Sequence, residues 1–263
     1  MKVAVATTTF YRDIGGKDAV RFNCVKQQVL DAVCAGHEIV VIDGSPNPDV
    51  GKALQMIGSK VFRQQGRGMG QAKRESFFHA SFCGDIIVAN EAEKYDLIRH
   101  IPKLIAPIEE KIADIVVARR TPKSDATYPE FQIATEREAD EAFERVTSLT
   151  GVKPMFGPVA FAGHRALPAF VMWNPNKVPG LPDTYVQHYA PLVAHFGQRE
   201  GAVVKSVAVD FEYPPGQRAE EDAALNEEIR QKRIYQRDTL IKAYGTLMDY
   251  LDPKGLLRAG EAV

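Results

Sequence analysis

The alternation of strand-like and helix-like segments over the first 120 residues is the feature that most constrains the fold. Apolar, β-branched segments of strand length lie at residues 2–10, 38–43, 60–64, 85–89 and 114–119. Between them run segments whose apolar residues recur at helical spacing. Consecutive β–α units of this kind predict an α/β fold, with a mostly parallel sheet and helices on both of its faces.

The second half of the chain has a less regular pattern. Residues 121–135 are polar and contain prolines, which predicts a loop. Residues 218–250 are charged, with apolar positions at helical spacing, which predicts a long C-terminal helix. We therefore expect a main α/β domain over residues 1–215 and a helical extension over residues 216–263. The long helix fits packing on its own domain or on a second copy, so a homo-oligomer stays open.

Composition limits the class of protein. With 45% hydrophobic and 25% charged residues, a chain of 263 residues can bury a substantial core. A net charge of -1 gives no overall attraction to nucleic acid or to an anionic membrane. No segment reaches the roughly 18 apolar residues of a transmembrane helix, and the first apolar run is too short for a secretory signal. The cysteines lack metal-site spacing, so we predict a cytoplasmic protein with reduced thiols.

Candidate site residues follow from the expected topology. In open α/β sheets, ligands bind outside the carboxyl ends of the strands. The residues at or just after the ends of the predicted strands are therefore the first candidates. Those with glycine, polar, charged or aromatic character are Thr8, Phe10, Asp43, Gly66, Gly68, Glu91, Glu93 and Arg119.

Two carboxylates, Glu91 and Glu93, follow the fourth strand with one residue between them. Hard divalent cations such as Mg²⁺ or Mn²⁺ prefer oxygen ligands and also bind substrate phosphates. At the end of a strand in an α/β series, the pair predicts a metal site, and Asn90 is the alternative ligand if the longer glutamates do not bind the metal. The alternative is an ordinary helix start, where acidic residues favour the helix dipole.

Asp43 ends the second strand and precedes the turn Gly44-Ser45-Pro46. An acid in this position hydrogen-bonds a ribose in many nucleotide-binding folds. The same position fits an Asx turn, in which the side chain accepts a hydrogen bond from a backbone N–H two residues on. Both interpretations stay open at this point.

A glycine-rich, basic segment, Gly66–Arg74, opens the helix after the third strand. Its free backbone N–H groups, together with Arg67, Lys73 and Arg74, predict an anion site. The segment is not a Walker A motif, because no Gly-Lys-Ser/Thr follows. It also comes after the third strand, whereas the dinucleotide fingerprint follows the first. A flexible loop without a ligand is the alternative.

Three further residues carry suitable chemistry. Arg119, next to Arg120 after the fifth strand, can bind an acceptor's phosphate or carboxylate, or belong to a surface charge pair. His164 follows a small-residue segment and can contact a donor or a metal, or be structural. Asp183 precedes a predicted helix and can act as a general base or as the cap of that helix.

The order of these motifs resembles that of the GT-A glycosyltransferases, family 2 in particular. The resemblance is one of pattern and covers about residues 1–215. Glu-x-Glu stands where the family has Asp-x-Asp, and Glu212 or Tyr213 stands near the place where some retaining relatives have a histidine. The matching segments are Ala6–Phe10, Val40–Ser45, Gly66–Arg74, Glu91–Glu93 and Pro182–Thr184.

The resemblance implies that a sugar moves from a nucleotide-diphosphate-sugar donor to the hydroxyl of a small or soluble acceptor. It implies a divalent metal, Mg²⁺ or Mn²⁺, on Glu93 with help from Glu91. It also implies that Asp183 removes the acceptor proton if the enzyme inverts. The residues implied in binding donor and acceptor are Thr8, Phe10, Asp43, Gly66, Gly68, Lys73, Arg74, Arg119 and His164.

Other classes of protein remain as alternatives. A non-catalytic nucleotide- or sugar-binding protein of the same fold is one, because the Glu-for-Asp exchange alters the metal site. A nucleotidyltransferase is a second, although it requires a Gly-rich run ending in Lys after the first strand, where this chain has Thr7-Thr8-Thr9-Phe10. An NAD-dependent oxidoreductase is disfavoured because its glycine fingerprint is missing from the first turn.

Overall fold

A computed structural model of the chain describes residues 1–148, 159–162, 201–223 and 227–251. Within these residues a seven-stranded sheet has the order β3-β2-β1-β4-β6-β5-β7. Every neighbouring pair is parallel except those that involve β6, which runs antiparallel to both β4 and β5. The strands are β1 Val3–Thr9, β2 Glu38–Asp43, β3 Lys60–Arg63, β4 Ile86–Ala89, β5 Ile115–Arg120, β6 Val159–Ala162 and β7 Val204–Val209.

Helices cover both faces of this sheet, which confirms the predicted α/β class. Alternate residues of β1 enter two separate cores: Val5 packs with Val29 of α1, whereas Ala6 packs with Phe77 of α3. The helices are α1 Ala19–Cys34, α2 Asp49–Met56, α3 Met69–Ser81, a 3₁₀ helix Tyr95–His100, α4 Ile101–Glu109, α5 Pro122–Asp125, α6 Glu130–Ser148, α7 Pro215–Ala223 and α8 Glu227–Leu251. No helix in the described ranges is long and apolar enough to cross a membrane.

One sequence prediction about the second half was wrong, and another stays a prediction. The structure describes α7 as far as Ala223 and α8 from Glu227, and residues 224–226 lie outside the described residues, so a single helix over residues 218–250 stays a prediction. Residues 121–135 are not a loop throughout. They contain α5, whose first turn is capped by the Thr121 hydroxyl accepting from the backbone N–H of Ser124 at 3.3 Å, and the start of α6.

The C-terminal helix α8 packs on α6 of the main domain. The rings of Phe143 and Tyr244 lie 5.1 Å apart between the two helices. Arg237 of α8 forms an ion pair with Glu138 of α6 at 3.0 Å. The apolar positions of α8 are therefore used, at least in part, within this chain. The boundary between residues 215 and 216 and the oligomeric state stay predictions.

Asp140 of α6 makes the stability of the fold depend on pH. Desolvation and the charge of Glu136 raise the pKa of Asp140 to about 7, with Arg120 acting in the opposite direction and Glu144 adding a smaller rise. The unfolded chain releases this proton near pH 3.8. Stability should therefore fall as the pH rises from about 4 to about 7, and then level off.

Asp140→Asn should remove this pH dependence. At pH 8 it should raise the free energy of unfolding by roughly 2 kcal/mol, because the folded protein no longer has to ionise a buried carboxyl group. Urea unfolding at a series of pH values measures the effect, with Glu141→Gln, an exposed acid on the same helix, as the control. If the free energy of unfolding changes with pH in the same way in Asp140→Asn and in the unsubstituted protein, the pKa of Asp140 is not raised by folding.

The order of the strands reverses at β1, because β2 and β3 lie on one side of β1 and β4 lies on the other. From β1 the chain moves outward through β2 and β3, and it then returns to the other side of β1 with β4. In sheets of this kind, ligands bind in the crevice outside the carboxyl ends of the two strands at the reversal. We call the space beyond Thr9 of β1 and Ala89 of β4 the switch-point crevice.

Candidate functional site

Two buried polar side chains lie on β1 and directly after β4, the strands that border the switch-point crevice. Ala6 of β1 and Ala89 of β4 are paired in register, so Thr7 and Asn90 follow them on neighbouring strands. Thr7 is 1% exposed and Asn90 is 8% exposed, yet the Thr7 hydroxyl and Asn90 Oδ1 have no hydrogen-bond partner among the described residues. Because buried polar groups are nearly always hydrogen-bonded, two such atoms at a strand-end crevice indicate a ligand site.

Glu91 presents its carboxylate at the same crevice. Its side chain is 61% exposed, and its Oε2 lies 3.8 Å from Nζ of Lys94. Desolvation favours the neutral acid, but the charges of Lys94 and Lys73 outweigh it, so the pKa of Glu91 is lowered. Gln28 of α1 donates a 2.7 Å hydrogen bond to the Glu91 carbonyl oxygen and fixes the backbone there. The structure therefore offers an ionised, accessible carboxylate beside a buried amide oxygen.

Glu93 has a different environment from Glu91. Its Oε1 accepts a 3.0 Å hydrogen bond from the hydroxyl of Tyr11. Burial and the charge of Glu93 raise the pKa of Tyr11 well above its ordinary value, so the tyrosine stays a donor. Desolvation and the charge of Glu93 likewise raise the pKa of Cys24 to about 11, which keeps this thiol protonated. Glu93 thus accepts a hydrogen bond within the protein, whereas Glu91 is the more exposed of the two carboxylates; which of them is the main metal ligand stays a prediction.

The predicted metal site is supported only in part by the geometry. In the portion of the chain that the structure describes, no group of three or more His, Cys, Asp or Glu residues is arranged to hold a metal. Magnesium, however, is usually bound by one or two carboxylates together with substrate phosphates. Glu91 and the unpartnered Oδ1 of Asn90 are hard oxygen donors of that kind. They fit a cation whose coordination is completed by a diphosphate.

Asp43 forms the Asx turn that its sequence position allowed. Its Oδ1 accepts hydrogen bonds from the backbone N–H of Ser45 at 2.9 Å and from the Thr9 hydroxyl at 3.0 Å. Its Oδ2 lies 3.5 Å from Nη1 of Arg63. Asp43 is 3% exposed, so it holds the end of β2 against β1. A contact with a ribose stays a prediction.

Phe10 is the exposed aromatic side chain next to this turn. It is 59% exposed directly beyond β1, with the Arg12 guanidinium 5.6 Å from its ring centre. A Cβ at position 44 would lie 3.4 Å from the Phe10 ring and would collide with Oε1 of Gln64. Glycine at position 44 therefore leaves the ring close to the backbone of the β2 turn. Thr8, on the opposite face of β1 from Thr7 and Thr9, is partly buried.

The glycine-rich loop does not offer all the backbone donors predicted from the sequence. The carboxylate of Glu75 accepts hydrogen bonds from the backbone N–H of Gln65 at 3.0 Å and of Gly66 at 2.9 Å. These bonds outweigh desolvation and lower the pKa of Glu75. The prediction that Gly66 gives a free N–H to an anion was therefore wrong. Gly68 has a φ of 86° at the start of α3, a conformation that favours glycine, so its role is in the turn.

Lys73 and Arg74, two of the three basic residues of this segment, have different roles. Desolvation lowers the pKa of Lys73, and the charge of Glu91 raises it by a smaller amount, so the pKa of Lys73 is lowered overall. Arg74 donates from Nε and Nη2 to Oε1 of Gln71, at 3.2 and 2.6 Å. Its Nη1 is buried without a hydrogen-bond partner among the described residues. Lys73 thus belongs to the charge cluster at Glu91, and Arg74 retains one donor for a ligand.

The two arginines at the end of β5 also differ. Arg119 is exposed, as a residue that binds an acceptor from solvent would be. Arg120 forms ion pairs with Asp125 at 3.0 Å and Glu136 at 2.9 Å. Its guanidinium lies 4.4 Å from the ring centre of Tyr128. Arg120 therefore has a structural role, and only Arg119 stays a candidate for acceptor binding.

Lys94 is a site residue that the sequence analysis missed. Its Nζ donates to the Tyr128 hydroxyl at 3.0 Å and lies 4.3 and 4.7 Å from the ring centres of Tyr128 and Tyr213. Desolvation opposes its charge, but Tyr128, Glu91 and Glu136 outweigh this and raise its pKa. The sequence signal was its spacing of three residues from Glu91 on a helix-like turn. The predicted residues His164 and Asp183 lie outside the described residues.

Comparisons with known proteins give similarity only at the level of structure. No family model matches the chain, and no curated protein matches it. The chain is 15% identical to glucosyl-3-phosphoglycerate synthase from Mycobacterium tuberculosis, bound to Mn²⁺, UDP and glucosyl-3-phosphoglycerate, over 93% of this chain and 80% of that one, with a TM-score of 0.47. It is 16% identical to CMP:2-keto-3-deoxy-manno-octonic acid synthetase complexed with CTP, over 87% and 100% of the two chains, also with a TM-score of 0.47.

With identities of 15% and 16% and TM-scores of 0.47, these similarities carry no inference about the fold or the function of this chain. The α/β class itself rests on the strand order and register described above. The substrate, the metal and the reaction must therefore be inferred from the geometry of the switch-point crevice.

Proposed function

We propose that the protein is a glycosyltransferase, which moves a sugar from a nucleotide-diphosphate-sugar donor to the hydroxyl of a soluble acceptor. The observation that carries the proposal is the set of groups at the switch-point crevice. Asn90, whose buried Oδ1 has no hydrogen-bond partner among the described residues, directly precedes the accessible carboxylate of Glu91, and the buried Thr7 hydroxyl on the neighbouring strand β1 likewise has no such partner. Lys73 adds a positive charge close to Glu91.

These groups suit the departure of a nucleoside diphosphate. When the bond from the anomeric carbon to the diphosphate breaks, negative charge develops on the leaving oxygen. A fixed cation that has little water around it stabilises such charge strongly. Lys73 and the remaining donor of Arg74 supply positive groups of this kind. A Mg²⁺ or Mn²⁺ ion held by Glu91 and Asn90 would supply a Lewis acid at the same diphosphate.

The nucleoside is assigned to the edge of the crevice at β1 and β2. Phe10 supplies an exposed ring on which a base stacks, next to the tight turn at Gly44. Asp43 keeps that turn in place through Ser45 and Thr9. In an inverting reaction, Asp183 takes the proton of the acceptor hydroxyl while that oxygen bonds to the anomeric carbon.

Phe10→Ala should weaken nucleoside diphosphate binding by about tenfold or more, because base–aromatic stacking contributes roughly 1–3 kcal/mol. Calorimetric titration with UDP, GDP, ADP and CDP in the presence of Mn²⁺ measures the effect. Phe82→Ala is the matched control, since Phe82 is also exposed, at 74%, but lies at the end of α3. Equal affinities for Phe10→Ala and Phe82→Ala would remove Phe10 from the nucleotide site.

A nucleotide-binding protein without transfer activity is the second candidate. The engagement of Glu93 by Tyr11 favours it, because this leaves Glu91 as the only accessible carboxylate of the pair. Hydrolysis of a bound nucleotide sugar, or its transfer to an acceptor, distinguishes the two functions. Tight nucleotide binding with neither reaction, over a broad panel of acceptors, would favour the second candidate.

A further inference from the structure

A groove of about 460 Å³ lies between the start of α6 and the helices α7 and α8. This is within the size range of small-molecule sites, which run from about 300 to 1,000 Å³. Three arginines and three carboxylates line it, so its formal charge is zero, and apolar side chains complete the walls. The lining residues are Pro129, Glu130, Phe131, Gln132, Arg218, Glu221, Asp222, Ile229, Arg230 and Arg233.

Most of the charges in the groove are already paired. Arg233 donates to both carboxylate oxygens of Glu221, at 3.0 and 3.1 Å. Arg218 donates to Asp222 at 3.1 Å. These pairs leave the groove without a strong field of either sign, which disfavours an anion or a cation as its ligand.

Two exposed groups of opposite charge remain available. Among the described residues, the carboxylate of Glu130 forms no hydrogen bond or ion pair, and the Arg230 guanidinium contacts only the Phe131 ring, 4.9 Å from its centre. A carboxylate only accepts hydrogen bonds and a guanidinium only donates them. A hydroxyl does both, so neighbouring hydroxyls of one ligand satisfy the two groups together. Phe131 and Ile229 supply apolar surface for the carbon skeleton between the hydroxyls.

The groove is connected to the switch-point crevice by continuous side-chain contacts. Arg233 donates to Oε1 of Gln132 at 2.9 Å at the groove end, and Lys94 lies 3.8 Å from Glu91 at the crevice end. The contacts between them are Gln132–Glu136 at 2.6 Å, Glu136–Arg120 at 2.9 Å, Arg120 to the Tyr128 ring centre at 4.4 Å, and Tyr128–Lys94 at 3.0 Å. The charge of Arg233 also lowers the pKa of Glu91.

We propose that this groove binds a neutral, polyhydroxylated acceptor, that is, a saccharide. That the saccharide is the acceptor rests on the proposed function. That the groove binds a saccharide does not. The groove differs from an anion site because its charges balance, and from an apolar site because an exposed carboxylate and an exposed guanidinium line it without an ion-pair partner among the described residues. Its contacts through Arg233 connect the groove to the Glu91 cluster at the assigned donor site.

Saturation-transfer NMR tests binding directly. The probes are glucose, mannose, galactose and maltose as neutral saccharides, and inorganic phosphate and lactate as anions, each with and without UDP or GDP and Mn²⁺. At least one neutral saccharide should bind, and Glu130→Gln and Arg230→Gln should each weaken it about tenfold through loss of a charge-assisted hydrogen bond. Glu141→Gln, exposed on α6 and outside the groove lining, is the control and should leave binding unchanged.

Three results overturn the proposal: no neutral saccharide binds, one binds with equal affinity in all variants, or only an anion binds and is lost in Arg230→Gln. Nucleotide binding, measured on the same samples, separates this failure from failure of the proposed function. If nucleoside diphosphates bind but saccharides do not, the groove proposal alone is wrong. If saccharides bind as expected but nucleotides do not, the groove is a sugar site and the transferase proposal is wrong.

Discussion

Glu91→Gln should reduce sugar transfer by about 10²- to 10³-fold, the loss typical when one group that stabilises transition-state charge is removed. It should also abolish the effect of Mn²⁺ or Mg²⁺ on nucleoside diphosphate affinity. The reason is that Glu91 is the accessible, ionised carboxylate at the crevice, and glutamine has the same shape without the charge. Steady-state turnover of the donor and calorimetric titration with and without metal measure the two effects.

The neighbouring acid provides the sharpest control. Glu93 is engaged by Tyr11, so Glu93→Gln should leave the metal effect in place and reduce turnover by less than about tenfold. Glu110→Gln, on the exposed surface after α4, should change neither. A larger loss of the metal effect in Glu93→Gln than in Glu91→Gln would support the order predicted from the sequence and contradict the role proposed for Glu91.

Arg233→Met should destabilise the protein by about 3 kcal/mol, the range expected when one partner of a buried ion pair is removed. Glu221 is the buried partner, with a side chain only 4% exposed. Its carboxylate also accepts from the Tyr213 hydroxyl at 2.9 Å, and Arg21 at 3.7 Å is the nearest remaining cation. Removal of Arg233 leaves that carboxylate largely uncompensated. Urea unfolding followed by circular dichroism measures the free energy of unfolding.

Arg237 is the matched control for this effect. It lies one helical turn further along α8 and pairs with Glu138 and Asp238, whose side chains are exposed. Arg237→Met should therefore leave the midpoint of unfolding almost unchanged. The double variant Arg233→Met/Glu221→Met should recover most of the stability lost in Arg233→Met, because no buried charge is left alone. Equal losses of unfolding free energy in Arg233→Met and Arg237→Met would show that the buried Arg233–Glu221 ion pair contributes no more to stability than the exposed pairs of Arg237.

The sequence predicted the first half of the fold well because each signal there is local. The predicted segment at residues 38–43 matches β2, and the alternation of such segments with helices led directly to a parallel sheet. The antiparallel placement of β6 was not predictable in this way. Its pairing with β4 and β5 joins residues that are far apart in the chain. Its short apolar segment does not indicate whether the strand runs parallel or antiparallel to its neighbours.

Site residues were predicted by their position at strand ends, and their roles required the structure. Glu91 and Glu93 look equivalent in sequence, yet one is accessible and the other accepts a hydrogen bond from Tyr11. Gly66 looked free, but Glu75, nine residues further along, accepts its N–H. Lys94 was missed because its two tyrosine partners come from distant segments. Tertiary partners of this kind leave no periodic signal in a single sequence.

The most direct test of the central claim is a thermal-shift panel of nucleoside diphosphates and nucleotide sugars, each with and without Mn²⁺ or Mg²⁺. A ligand that binds only the folded state raises the melting temperature. The assignment of the switch-point crevice requires that at least one nucleoside diphosphate raises it in a metal-dependent way, and that Glu91→Gln loses the metal-dependent part. If no nucleotide shifts the melting temperature, with or without metal, the crevice is not a nucleotide site and the proposed function is wrong.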